Sequence, residues 1–158
     1  MIKWLEKIQM TFGIVFLSIF FLTIIVQIVT RYLGISVIWT EEVANYSFIW
    51  AIFMGASVMV NRREHFSFDF LSMKLKGKKR AGLHIVIDAI VLIFAVFLTI
   101  YGYEAVTTFW SYNWVALPAM KMGYIWIAIP IMGVTMAIYS AGHIMKHVSV
   151  LRGKVSVS

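Results

Sequence analysis

The sequence predicts an all-α integral membrane protein with four transmembrane helices and an interfacial amphipathic helix between spans 2 and 3. Three observations carry that prediction. Of the 158 residues 61% are hydrophobic, with mean hydropathy +0.87, against about 45–50% apolar usage in soluble domains. Four long runs, about 10–30, 41–60, 83–110 and 122–145, are almost free of charge. Basic residues gather between and beyond these runs rather than within them. A chain of this length has room for four spans and their connections, so 1–158 reads as a single four-helix membrane domain. The net charge of +7 would suggest nucleic acid in a soluble protein. Beside membrane spans, however, cations set orientation and meet phospholipid headgroups, and no nucleic-acid partner is expected. The absence of cysteine excludes disulfides, thiolate metal sites and thiol catalysis.

Each element has its own justification. Before the first span, Trp4, Leu5 and Ile8 alternate with Lys3, Glu6 and Lys7, which reads as a short interfacial lead-in. The apolar run behind it exceeds a signal peptide's and lacks a small-x-small cleavage site, so a retained first span is expected. That span holds one strongly polar side chain, Gln27, and ends at Arg31. A connection with Gly34 and Ser36 returns the chain as a tight hairpin. The second span contains 18 uncharged residues, 43–60, a helix of about 27 Å against a hydrocarbon core of ~30 Å. Thr40 is placed to cap it, with Glu41 and Glu42 in the first turn, where the helix dipole favours carboxylates. The loop 61–82 mixes Phe66, Phe68, Phe70, Leu71, Met73 and Leu75 with charge, as a helix lying in the membrane surface does. Span 3 is longer than a bilayer is thick and must tilt or protrude. Pro118 and the aromatics Tyr112 and Trp114 mark an interfacial connection. Pro130 inside span 4 leaves the Trp126 carbonyl without its helical partner, so a kink is expected.

Counting Lys and Arg orients the chain. Twelve fall on the side of the termini and central loop, and only Arg31 and Lys121 on the other. The positive-inside rule therefore predicts that both termini are cytoplasmic, N-in and C-in. Intramembrane ionisable groups are the default functional candidates, and none stands at mid-depth of any span. Asp88 and Glu104 lie near opposite ends of span 3 and read as structural charges. Arg31 faces Glu41 and Glu42 across the short hairpin, where a salt bridge would form a clasp; with Trp39, the carboxylates also suit a partner at the outer surface. Ser47, Ala51 and Gly55 recur every four residues, as do Gly133, Ala137 and Ala141, and small residues at that spacing let helix backbones approach closely. Trp50 shares span 2 with the first stripe, so Ser47, Trp50, Ala51, Gly55, Tyr112 and Trp114 join the interface candidates. His84 and His143 are the pair a haem between spans would use, but two interfacial histidines are weak support and no cofactor is expected. No His–Glu cluster has metal spacing and no nucleophile–base pair is legible, so no catalytic or metal residue is assigned.

The order Gln27, Arg31, Trp39-Thr40-Glu41-Glu42, Trp50, Gly55-Ala56, Arg62-Arg63-Glu64-His65, Asp69, Pro118, Pro130 resembles the small membrane subunit of tripartite ATP-independent periplasmic (TRAP) transporters. The resemblance covers nearly the whole chain. Its most specific parts are Trp-x-Glu-Glu before span 2 and Arg-x-Glu-His after it, one bilayer thickness apart. Where aliphatic residues are expected after His65, this chain has Phe66 and Phe68. The resemblance implies a scaffold bracing a large multi-span subunit that carries organic acids, such as dicarboxylates or sialic acid, with sodium, and a share in docking a periplasmic substrate-binding protein. Glu64, His65 and Asp69, with Arg62 and Arg63, would then form a cytoplasmic surface motif. Two other readings stay open: a self-sufficient four-span ion-coupled carrier, and a membrane anchor of a redox enzyme.

Overall fold

Uninterrupted hydropathy makes long helices, and the computed structural model, which describes residues 2–63 and 78–151, contains four long and apolar enough to cross a membrane. They are α1 (Ile2–Tyr32), α2 (Trp39–Arg62), α3 (Lys78–Phe109) and a fourth span in two pieces, α4 (Gly123–Trp126) and α5 (Ala128–Leu151). The expected surface helix after α2 lies outside the described residues.

Two local expectations are corrected and a third is extended. Residues 2–9 are no separate lead-in but the first turns of α1, because nothing in them interrupts i to i−4 bonding. Thr40 does not cap α2: the helix begins one residue earlier, and the Thr40 hydroxyl donates to the Val37 carbonyl at 2.9 Å. The helix of span 3 begins at Lys78, ahead of the apolar run that starts near 83, since a helix continues past the hydrocarbon edge wherever long basic side chains can reach water.

The turn after α1 follows from Gly34 at φ 72°. With that left-handed residue, the Ile35 N–H donates to Thr30 O at 2.9 Å and the Gly34 N–H to Arg31 O at 3.2 Å, the paired bonds of a Schellman ending. In the fourth span the helix breaks at Ile127, three residues before Pro130, next to the carbonyl that proline cannot serve.

The helices lie in the order α1, α2, α5, α3, with close packing of α1 on α2, α2 on α5 and α5 on α3. Accordingly α2 and α5 bury far more of themselves than α1 and α3 do. Val60, Ala95, Met132, Met136 and Tyr139 form the core, with Ile2 and Leu5 of α1 reaching it. The most extensive helix contact is between α3 and α5. A Cβ on Gly133 would stand 2.8 Å from the Thr99 backbone nitrogen and 2.9 Å from Ala95 O. Small residues allow this approach where lipid removes the hydrophobic drive for association.

Candidate functional site

The two ends of the molecule, named here by Glu6 and Glu42, are built differently. At the Glu42 end the chain closes on itself. The Glu42 carboxylate accepts from the Val115 N–H at 2.8 Å and the Ala116 N–H at 2.9 Å, one per oxygen. Trp114, nearly buried, packs edge-on against Tyr46 at 4.4 Å between centroids, and its indole N–H donates to Lys121 O at 3.2 Å. The Trp50 indole N–H donates to Tyr124 O at 3.1 Å. Asn113 and Lys121 form an isolated bridge that folds the connection into a flap. The flap is thus anchored on α2 through Glu42 and Tyr46, and Trp50 holds α4 beside it.

This corrects the expected Arg31 clasp. Among the described residues Arg31 forms no ion pair with Glu41 or Glu42; it lines an open notch of about 360 Å³ with Gln27, Thr30 and Ser36. Proximity across a hairpin did not decide the pairing, because two backbone N–H groups from a distant loop already satisfy Glu42. Trp39, Glu41 and Tyr112 remain exposed there, as does Glu104 on α3. Glu42→Gln should speed corrected amide exchange at Val115 and Ala116 by about five- to tenfold, as expected for losing one hydrogen bond to a charged group worth ~1–1.5 kcal/mol at a partly exposed site. Unchanged exchange would mean that the flap holds without Glu42.

At the Glu6 end, polar groups stitch all four spans together. Gln9 of α1 donates to Thr135 Oγ1 at 2.9 Å and accepts from the Tyr139 hydroxyl at 2.5 Å, while Thr135 lies 3.2 Å from Ser57 Oγ of α2. These groups are buried, so mutual hydrogen bonding is what makes their burial tolerable. Nearer the surface, Glu6 accepts from Asn61 Nδ2 and Arg62 Nε, both at 2.7 Å. Arg63 adopts a left-handed conformation, φ 61°, at the end of α2; its guanidinium donates to Asp88 Oδ2 at 2.6 Å. His84 stacks on His147 at 5.2 Å instead of facing His143. Glu64, His65 and Asp69 lie outside the described residues.

Sequence reading missed Gln9 and Glu6 as anchors. A signal existed for Gln9, since Ile2, Leu5 and Gln9 fall on one helical face. The small-residue stripes divide. Gly133 is wedged against α3, whereas a Cβ on Gly55 would meet nothing within 4 Å. Ser47 is buried, while Ala51 and Gly55 line an apolar groove of about 300 Å³ between α1 and α2 with Gln9, Gly13 and Leu17.

Four membrane-length helices, polar clamps at both ends and bare apolar flanks on α1 and α3 define a multi-pass α-helical membrane protein. Residues 10–150 match the family described as tripartite ATP-independent periplasmic transporters, DctQ component, and the chain belongs to that family. It is a transporter component of the inner membrane, in a family not known for enzymes. It is 29% identical over 136 residues to the sialic acid TRAP transporter permease protein SiaT of Haemophilus influenzae (strain 86-028NP), a match covering 85% of this chain and 22% of SiaT. It is 35% identical over 80 residues to a protein of Haemophilus influenzae (strain ATCC 51907 / DSM 11121 / KW20 / Rd) with the provisional name TRAP transporter small permease protein, covering 49% of this chain and 48% of that protein. The chain thus spans about a fifth of the first relative and about half of the second.

Proposed function

We propose that this chain is the small scaffold subunit of a sodium-coupled secondary transporter that takes up organic acids such as sialic acid or dicarboxylates. It braces a large multi-span membrane subunit and helps a periplasmic substrate-binding protein to dock. The observation that carries this reading is the empty mid-depth of all four spans: no Asp, Glu, Lys, Arg or His stands between Lys7 and Arg31, Glu42 and Arg62, Asp88 and Glu104, or Lys121 and His143. A proton- or ion-coupled path needs a carboxylate or a broken helix near the midplane. Here the fourth span breaks at Ile127, close to the Glu42 end, and the break is filled by packing: a Cβ on Gly102 would stand 2.8 Å from Ile129 Cγ2 and 3.0 Å from Pro130. The relative named as a permease, in which the matching segment is about a fifth of the length, supports a brace beside a larger transport unit.

In this reading the Glu6 end is cytoplasmic, as the distribution of basic residues favours. The Glu42 end, with Trp39, Glu41 and Tyr112 exposed, is the surface offered to the binding protein. The test is purification from native membranes followed by reconstitution. The chain should copurify with a larger membrane protein and move no solute alone in sodium-loaded vesicles. Transport of an organic acid by the isolated chain would overturn the proposal.

The α1–α2 groove is the place for a helix of the large subunit. Gly55→Leu fills space that the chain itself leaves open, so its thermal unfolding should stay within about 0.5 kcal/mol of the parent while recovery of the larger partner falls severalfold. Full recovery would assign the groove to lipid.

A further inference from the structure

At the Glu6 end a set of titratable groups lies outside the reading above. His84 and Asp88 are one turn apart on α3, His143 and His147 one turn apart on α5, and the two pairs face each other. Asp88 is 7% exposed. One of its oxygens holds Arg63 at 2.6 Å; the other lies 3.6 Å from Nδ1 of His143. That separation is too long for a hydrogen bond. Nδ1 of His143 is buried and has no hydrogen-bond partner among the described residues. Among the described residues a ring nitrogen thus stands just beyond hydrogen-bond reach of a carboxylate oxygen that Arg63 does not hold.

We propose that Asp88 and His143 form a proton-operated latch between α3 and α5, open when the His143 ring is neutral and closed when it is protonated. Imidazole changes charge between about pH 5 and 8. A protonated ring carries N–H on both nitrogens, and closure onto Asp88 Oδ1 makes a charge-assisted bond. Asp88 then joins Arg63 of α2 to His143 of α5, and the ends of three helices are held by one carboxylate.

The surroundings define the competition. From α2, Arg63 opposes a second cation at Asp88, and from α3 so do Arg80 and His84. His147 and Lys146 are the basic groups on α5 itself. Glu6 of α1 is engaged by Arg62 and Asn61, and among the described residues Asp88 is the carboxylate that faces His143. The sign follows: a histidine that gains a carboxylate partner when charged contributes stability that is complete at low pH and lost as pH rises through its titration. Stacked His84 and His147 work the other way, because protonating both sets like charges face to face.

The test uses the full chain in lipid nanodiscs. Nitrogen NMR of the histidine rings is followed from pH 8 to 5.5, with amide exchange at the Glu6 ends of α3 and α5 corrected for its intrinsic pH dependence. On acidification the His143 ring should gain its second proton and corrected exchange should slow about tenfold, as expected for a hydrogen bond to a charged group. His143→Gln should abolish the slowing, while the double variant His84→Gln/His147→Gln should retain it. Asp88→Asn should likewise abolish the slowing; if that variant does not fold, His143→Gln decides alone. A His143 ring that stays neutral down to pH 5.5, or equal slowing in His143→Gln, would overturn the latch.

Discussion

Gly133→Ala is expected to pry α5 from α3 and destabilise the chain by about 1–3 kcal/mol, the usual cost of overpacking a well-filled site. The added carbon would meet the Thr99 hydroxyl, 2.5 Å away, and two backbone atoms within 3 Å. A side chain can rotate away, but the backbone nitrogen of Thr99 and the carbonyl of Ala95 belong to a helix and cannot. Relief therefore requires moving one whole helix, which also loosens the contacts among Ala95, Met132 and Met136. The check is thermal unfolding in detergent, with Gly82→Ala as the control, since nothing stands within 4 Å of that position. Equal stability of the two variants would show that the α3–α5 contact has slack.

Asp88→Ala should cost about as much, for a different reason. Removing one member of a buried ion pair strands the other, a loss of roughly 3–5 kcal/mol for fully buried pairs. Arg63 is about one-third exposed, so water compensates in part and about 1–3 kcal/mol is expected. Arg63→Met in the Asp88→Ala background should recover some of that loss, because the stranded charge is then gone. A double-mutant cycle measures the coupling. Additive losses would mean that the 2.6 Å contact contributes nothing.

The spans were legible because a bilayer imposes a length on hydropathy: the uncharged run 43–60 could be little else. The ends were less so. Lys78 and, before Gln9, Lys3, Glu6 and Lys7 are charged, yet they continue helices, since hydropathy reports where the hydrocarbon stops and not where i to i−4 bonding stops. Pairings between distant segments were not legible. Glu42 could be recognised as a carboxylate at a helix start, but its partners are backbone N–H groups 73 and 74 residues away; no side-chain pattern announces a backbone donor. The nearest opposite charge, Arg31, was the natural partner in sequence and stands apart from it in the fold. Of the two small-residue stripes, spacing alone could not say that Gly133 is wedged and Gly55 free, because that depends on which face the neighbouring helix occupies. Gln9 was hidden by its company, Lys3, Glu6 and Lys7, although its spacing from Leu5 put it on the inner face.

The side-by-side order α1, α2, α5, α3 has a consequence for what can cross the membrane. A ring of helices encloses a lumen; a single row does not. Among the described residues α1 and α3 share no extensive contact, and where α1 reaches across to α5 the space is filled by the hydrogen bonds of Gln9 with Thr135 and Tyr139, so no ring closes around a lumen in this molecule. Any water-lined route past it must have its opposite side made by something else.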